Sequence, residues 1–208
     1  MLVGDPSVFA IESTAIEWYE RLSFRALGSF VVHIDGVAYG RPESDATLLA
    51  CAFDEVSRRH RARGTHDAAF ATDSSGIAIA AAFEASLSRP EIDAEPVLGQ
   101  STEAFGAFLA TRGIRWAPGG DEEWDDRSRI LQFDVGDQVR IVAFKGTEPT
   151  RFDHPSFRDA WMEAERFYDV LRDWSSTFQR EWERARKIPE GIDQDWDQLA
   201  AWRLKHGN

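Results

Sequence analysis

Apolar residues concentrate in two runs that are separated by a short turn. Residues 130–134 and 139–145 are rich in Ile, Val and Phe, and Val135-Gly136-Asp137 lies between them. Two such runs joined by a short loop that contains glycine are typical of a β-hairpin. The pattern predicts an antiparallel hairpin over residues 128–145, and its residues indicate a packed sheet rather than a site of chemistry.

Three further extended runs occur in the N-terminal part of the chain, over residues 8–18, 27–34 and 37–39. Asp35-Gly36 separates the last two, and this dipeptide is a strong hairpin signal. The runs predict two long strands and a short third strand. We expect one antiparallel sheet to hold these strands together with the hairpin.

Helical periodicity is strongest towards the C-terminus. Six apolar residues recur there every three or four positions and predict a long helix over residues 163–186, with one face packed on the sheet. These residues are Phe167, Val170, Leu171, Trp174, Phe178 and Trp182. Shorter helices are predicted over 46–63, 77–87 and 102–112, although the start of 77–87 also suits a strand. Loops with two prolines each are predicted over 88–100 and 147–155.

The element pattern predicts an α+β fold in which an antiparallel sheet packs against helices, including the long C-terminal helix. A chain of 208 residues suits one domain. Ile188-Pro189-Glu190-Gly191 ends the long helix, and Trp196, Leu199 and Trp202 then mark a short terminal helix. We therefore expect a single domain over residues 1–187 and a helical extension over 188–208.

The net charge of −12 narrows the classes of partner that the chain can bind. Phosphates would repel such a chain, which argues against binding nucleic acid or an anionic membrane and favours a basic partner. An acidic balance is also common in soluble proteins and need not be functional. Cys51 is the single cysteine and lies among apolar residues, so a reducing compartment and a core role fit it. With no leader-like segment and no run of about 18 apolar residues, a cytoplasmic location is expected.

A search for catalytic motifs returns no phosphate-binding glycine loop and no nucleophile elbow. The histidines lack the spacing that a helical metal site needs, so no cofactor and no metal are expected. Asp134 and Asp137 flank the hairpin turn, and turn formation is the simpler interpretation of both. The five histidines are His33, His60, His66, His154 and His206.

Acidic residues concentrate between residues 88 and 126. This segment contains nine carboxylates and three arginines, and it gives half of the net charge. The run at 121–126 lacks the alternating ligands and the glycine of a calcium loop. Two interpretations of this run remain open. It is either a solvated loop or an acidic surface that attracts a basic partner, with Trp124 as its anchor. The predicted partner-binding residues are Glu91, Asp93, Glu95, Asp121, Glu122, Glu123, Trp124, Asp125 and Asp126.

Four blocks of the chain resemble the immunity protein 42 family of bacterial polymorphic toxin systems. They are the opening Met1 to Glu12, the strand and turn Phe30 to Gly36, the hairpin Leu131 to Lys145, and an aromatic helix. The resemblance extends over residues 1–186 in blocks, while 64–120 match no recognised block and the tail after Lys187 is extra. The aromatic helix carries Phe167, Tyr168, Leu171, Trp174, Phe178, Glu181 and Trp182.

This resemblance implies an immunity protein that binds and neutralises a cognate toxin domain, without catalysis and without a cofactor. The matched residues are mostly apolar or turn residues, so they indicate scaffold and identify no toxin contact. Two other classes stay open: a structural or adaptor module, and a hydrolase that would use carboxylates such as Glu12, Glu17 and Asp35.

Overall fold

The computed structural model describes residues 1–87, 96–116, 124–147 and 151–206, and the statements below concern these residues. Within them the chain forms nine strands and six α-helices. The strands are β1 Leu2–Asp5, β2 Phe9–Trp18, β3 Ala26–Ile34, β4 Val37–Tyr39, β5 Thr47–Leu48, β6 Ser128–Val135, β7 Gln138–Thr147, β8 Arg151–Phe152 and β9 Arg158–Glu163. The helices are α1 Leu49–Arg61, α2 Phe70–Asp73, α3 Gly76–Leu87, α4 Thr102–Thr111, α5 Ala164–Arg184 and α6 Trp196–His206.

The first sheet is antiparallel and follows the order β1-β2-β3-β4, with β5 also paired to β3. Buried and exposed residues alternate along much of β2, because one face of this sheet packs on the core and the other faces solvent. The register of β2 against β3 shifts between Ala15 and Glu17, which indicates a bulge.

The second sheet contains the predicted hairpin. β6 pairs with β7, and β8 and β9 both pair with β7. The α+β class is confirmed, but the expectation of one sheet for all strands is wrong, since the hairpin and the N-terminal strands belong to separate sheets. Strand content can be read from local pattern, whereas the pairing of distant strands depends on tertiary packing.

The main core lies between the two sheets and draws on both of them, on α1 and on α5. Trp174 is fully buried, and its indole N–H donates to Ser13 Oγ at 3.1 Å. Its ring stacks with Phe178, with centroids 5.3 Å apart. The predicted helix and its inward face are therefore confirmed, with α5 two residues shorter than expected at its C-terminal end.

A second core covers the opposite face of the hairpin sheet. Leu131, Phe133, Val142 and Phe144 of β6 and β7 pack there against α2, α3 and α4. Both faces of the hairpin are buried, which explains why its two strands are almost continuously apolar instead of alternating.

Arg140 connects this sheet to the helices α2 and α3 that pack on it. Its guanidinium donates to both oxygens of Asp159, at 2.7 and 2.6 Å, and to the carbonyl oxygens of Ala71 and Ser74. Asp159 also accepts the backbone N–H of Gly76 at the start of α3, at 3.1 Å. A carboxylate at a helix N-terminus is favourable, so this pair fixes α3 on the sheet.

The start of the first helix and three strands differ from the sequence expectations. The first helix starts at Leu49 instead of residue 46, because Thr47–Leu48 pairs with β3. β1 was not predicted; its Gly4 has a φ of 99°, and a side chain there would clash with the Phe9 carbonyl. The loop predicted over 147–155 contains the short strand β8. The sequence does not predict β9 either, because four of its six residues are charged or methionine.

The C-terminal residues fold back onto the first sheet. Ile188 donates its N–H to the Trp18 carbonyl at 2.7 Å, and the N–H of Glu20 bonds the Ile188 carbonyl at 3.0 Å. Leu199 of α6 is buried beside Tyr19, whereas Trp196 is 80% exposed. The predicted terminal helix is present, but only part of its predicted apolar stripe is buried.

Candidate functional site

A cleft of about 300 Å³ opens where the β6–β7 hairpin turns, beside the end of α1 and the start of α5. The turns at its edge use glycines in the left-handed backbone region: Gly64 has a φ of 81° and Gly136 a φ of 62°. The N–H of Ala164 bonds the Asp137 carbonyl at 2.8 Å, which holds the start of α5 against the hairpin turn. The polar side chains that line the cleft are Arg63, Asp134, Asp137, Glu163, Glu165 and Tyr168.

Asp134 forms the floor of the cleft and is the centre of a hydrogen-bond network. One carboxylate oxygen accepts the Tyr168 hydroxyl at 2.7 Å, and the other accepts the backbone N–H of His66 and contacts His66 Nδ1, both at 3.0 Å. Burial opposes ionisation of Asp134, but these hydrogen bonds outweigh it and hold its pKa below the ordinary value. Burial and the adjacent carboxylate raise the pKa of the Tyr168 hydroxyl.

The network continues below the floor to a fully buried arginine. Gln132 donates to the Tyr168 hydroxyl at 2.8 Å and accepts from Arg59 at 3.0 Å. Arg59 also bonds Glu55 at 2.7 Å, and its guanidinium lies 4.7 Å from the centre of the Trp116 ring. Burial lowers the pKa of Arg59 to about 10, so the group remains charged at neutral pH. The floor of the cleft is therefore supported by a chain of paired polar groups.

The rim of the cleft is open to solvent and mostly acidic. Asp137, Glu163 and Glu165 are exposed there. Arg63 is also exposed, and its guanidinium lies 5.2 Å from the centre of the Tyr168 ring. Four carboxylates, with Asp134 included, therefore face one cation in this cleft.

The structure describes three of the nine residues predicted to bind a partner. Asp125 is exposed and lies 3.9 Å from Arg41. Trp124 is half-buried and packs against the main core, so its ring contributes to the fold as well as to the surface. The predictions for Glu91, Asp93, Glu95, Asp121, Glu122 and Glu123 lie outside the described residues.

Asp126, the third of these residues, binds other residues of the fold through its side chain. Its carboxylate lies 2.7 Å from Lys145 and accepts from the Ser128 hydroxyl at 2.8 Å and the Gly40 N–H at 3.2 Å. Burial opposes its ionisation, but the Lys145 and Ser128 contacts outweigh it and lower the pKa. The partner-binding role of the acidic segment stays a prediction, and the geometry favours Asp125 over Asp126 for it.

The sequence did not point to the cleft. The interpretation of Asp134 as a turn residue is wrong, because its side chain bonds the distant residues His66 and Tyr168 instead of the turn backbone. An aspartate directly before a turn gives no local sign of such partners. The available signal was the accumulation of Asp137, Glu163 and Glu165 at element ends, which becomes a surface feature only once the elements meet.

His66 is buried in the core, and His33 bonds Glu12 at 2.8 Å on the outer face of the first sheet. The carboxylates of the hydrolase alternative have separate partners: Glu12 pairs with His33, Glu17 with Arg203, and Asp35 lies 3.6 Å from Arg158. In the parts of the chain that the structure covers, no group of three or more His, Cys, Asp or Glu residues could hold a metal ion. No helix in the same parts is long and apolar enough to span a membrane.

Comparison with known proteins identifies the family. A sequence-family model described as Immunity protein 42 matches residues 1–177. The chain belongs to the Immunity protein 42 family. The crystal structure of CdiI from Burkholderia dolosa has a similar fold, with a TM-score of 0.55 and 18% sequence identity over 85% of this chain and 99% of that one. No curated protein gives a significant match.

Family membership fits the resemblance seen in the sequence blocks. The matched range includes both sheets, the helices α1 to α4 and most of α5. The cleft lies wholly inside this range, whereas the C-terminal residues that fold onto the first sheet lie outside it.

Proposed function

We propose that this immunity protein neutralises a cognate toxin domain by direct protein–protein contact through an acidic surface. The observation that carries the proposal is the match of the family model to residues 1–177, which extends through both sheets and the cleft. The partner would be a basic toxin domain, with neither nucleic acid nor membrane as a target.

Charge supports this choice of partner. The chain carries a net charge of −12, and a protein of that charge attracts basic surfaces and repels phosphates. Attraction of this kind raises the association rate, which suits a protein that must capture its toxin early.

The polar groups of the cleft favour binding over catalysis. A general base needs a free acceptor within reach of a substrate proton. Both oxygens of Asp134 accept hydrogen bonds from His66 and Tyr168, and these bonds hold its pKa below the ordinary value, so this carboxylate is a weak base and serves the fold. We therefore infer a non-enzymatic role without a cofactor, performed in the cytoplasm by a domain over residues 1–187.

Co-expression tests the proposal. The toxin domain encoded beside this chain should arrest growth when it is expressed alone, and co-expression of the chain should restore growth. Purified chain and toxin should form a stable complex in calorimetry. A non-cognate immunity protein of similar charge serves as the control. Continued growth arrest despite soluble expression, together with no measurable binding, would contradict the proposed function.

A further inference from the structure

We propose that the cleft between α1, the β6–β7 turn and α5 receives an arginine side chain of the toxin domain. The inference rests on the proposed function, because it assumes that the partner is a toxin. It adds the contact: a guanidinium that lies over Tyr168 and between the rim carboxylates.

The size of the cleft limits what can occupy it. Pockets for small-molecule ligands span roughly 300–1,000 Å³. At about 300 Å³, this cleft lies at the lower end of that range. One long side chain that enters from a protein surface suits it better than a cofactor-sized molecule.

The charge of the cleft selects a cation. Asp134, Asp137, Glu163 and Glu165 carry four negative charges, and Arg63 carries one positive charge. The N-terminus of α5 adds roughly half a positive charge. The balance stays negative by more than two charges, so an incoming basic group is favoured even against the helix dipole.

The cleft also contains a surface suited to a planar guanidinium. Arg63 already lies 5.2 Å from the centre of the Tyr168 ring, which shows that a guanidinium fits over this aromatic face. Arg63 is exposed, and the described residues form no salt bridge with it, so it can move aside. A toxin arginine would take that position and pair with the exposed rim carboxylates, since arginine suits both bidentate pairing and stacking.

The floor is fixed before binding. Tyr168 is buried and bonded to Asp134 and Gln132, so its ring need not be ordered when the partner arrives. A preorganised site loses less conformational entropy on binding and gains affinity. An alternative occupant is an anionic group held by Arg63 and the start of α5, and the experiment below separates the two.

The first test neutralises the rim. The triple variant Asp137→Asn, Glu163→Gln, Glu165→Gln should raise the Kd for the purified toxin domain by roughly tenfold or more, mainly through faster dissociation, because these carboxylates would pair with the arginine inside the complex. The control neutralises three exposed acids outside the cleft lining, Asp45→Asn, Asp54→Asn and Glu181→Gln, with the same change in net charge. An equal dissociation rate in the two variants would overturn the inference.

The second test exploits Arg63. Arg63→Ala removes the competing guanidinium and should slow dissociation of the toxin severalfold, whereas Arg61→Ala, two residues earlier and equally charged, should leave dissociation unchanged. Weaker toxin binding by Arg63→Ala would overturn the inference and favour the anionic occupant.

A probe without the toxin separates this inference from the proposed function. A tri-arginine peptide at low salt should shift the amide NMR signals of Gly64, Gly136 and Ala164, and these shifts should vanish in the triple variant. A tri-glutamate peptide should shift none of them. Absent shifts with tri-arginine would overturn the cleft proposal while toxin binding by the wild type would still support the proposed function; a wild type that fails to bind the toxin would overturn both.

Discussion

At the scale of single residues, the polar groups of the interior are held in place by specific partners. Asp134, Gln132 and Tyr168 bond one another, and Arg59 bonds Gln132 and Glu55. Buried polar groups are tolerated only when they are paired. Removal of one member leaves its partners buried without a hydrogen bond, and this lowers the stability of the fold. The polar floor of the cleft is thus a point at which stability depends on individual hydrogen bonds.

Replacement of Asp134 by Asn should lower the free energy of unfolding by about 1–3 kcal/mol at neutral pH. The amide keeps only one of the two oxygens that accept hydrogen bonds from His66 and Tyr168. The folded-state pKa of Asp134 lies below its ordinary value. Its stabilisation is therefore present above the unfolded pKa of about 3.9 and is lost as the pH falls through the lower folded pKa.

Chemical denaturation at several pH values measures this effect. The difference in unfolding free energy between wild type and Asp134→Asn should narrow as the pH drops below about 4. Asp137→Asn, three residues later and exposed, is the matched control and should change stability by less than about 0.5 kcal/mol. A difference that persists unchanged at low pH would contradict the role assigned to the Asp134 carboxylate.

At the scale of elements, α5 shows which parts of the fold can be read from the chain. Its apolar residues recur with helical spacing, and Trp174 is buried as that spacing predicts. β9 shows the limit: Arg158–Glu163 carries no strong strand signal and becomes a strand because β7 offers it a free edge. The two-sheet arrangement was not predictable for the same reason, since pairing between distant segments leaves no local pattern.

The same contrast applies to the candidate site. The concentration of acids at residues 121–126 was visible in the sequence, but the internal contacts of Asp126 with Lys145, Ser128 and Gly40 were not. The cleft joins Arg63, Asp137 and Glu163, which are separated by up to 100 positions in the sequence. Local pattern identifies charged residues, and only the assembled fold shows which of them face one surface.

Trp174→Ala tests the packing of α5. The substitution should lower the free energy of unfolding by about 3–5 kcal/mol, because it leaves a large cavity and removes the bond to Ser13. Trp196→Ala in α6 is the control, since that ring is 80% exposed and its loss should cost little. Chemical denaturation measures both; similar values for the two variants would show that the stripe of α5 is not the main core contact.

At the scale of the whole molecule, the C-terminal residues attach to the sheet through an ion pair between the buried Glu17 and the partly exposed Arg203. Arg203 of α6 donates to both oxygens of Glu17, each at 2.6 Å, and Tyr19 donates to the same carboxylate at 2.7 Å. These contacts and the burial of Leu199 fix the extension on the first sheet.

Arg203→Met should lower the free energy of unfolding by about 1–3 kcal/mol, because the buried Glu17 loses its cation; the partial exposure of Arg203 keeps the loss below that of a fully buried pair. Lys205→Met is the matched control on the same helix, where the side chain is exposed, and should have almost no effect. Toxin binding should be equal in both variants. Equal stability of the two variants would show that the ion pair does not fix the extension.

The net charge of the molecule should govern how fast it meets its toxin. Exposed charges act mainly on the encounter, and salt screens them. Because Asp126 is bonded within the fold, the informative variant leaves it intact and combines Asp121→Asn, Glu122→Gln and Asp125→Asn. This variant should slow association with the toxin domain roughly threefold to tenfold at low salt and flatten the dependence of the rate on ionic strength.

Stopped-flow kinetics across a salt series measures this effect against a control that neutralises Asp45, Asp54 and Glu181. Both variants lose three charges, so long-range attraction falls equally in both. Only a segment that faces the partner in the encounter complex adds a further loss, because potentials decay within a Debye length of about 10 Å at 0.1 M salt. Association rates that match the control at every salt concentration would show that the acidic segment is a solvated loop, and the rim of the cleft would then remain as the acidic surface for the toxin.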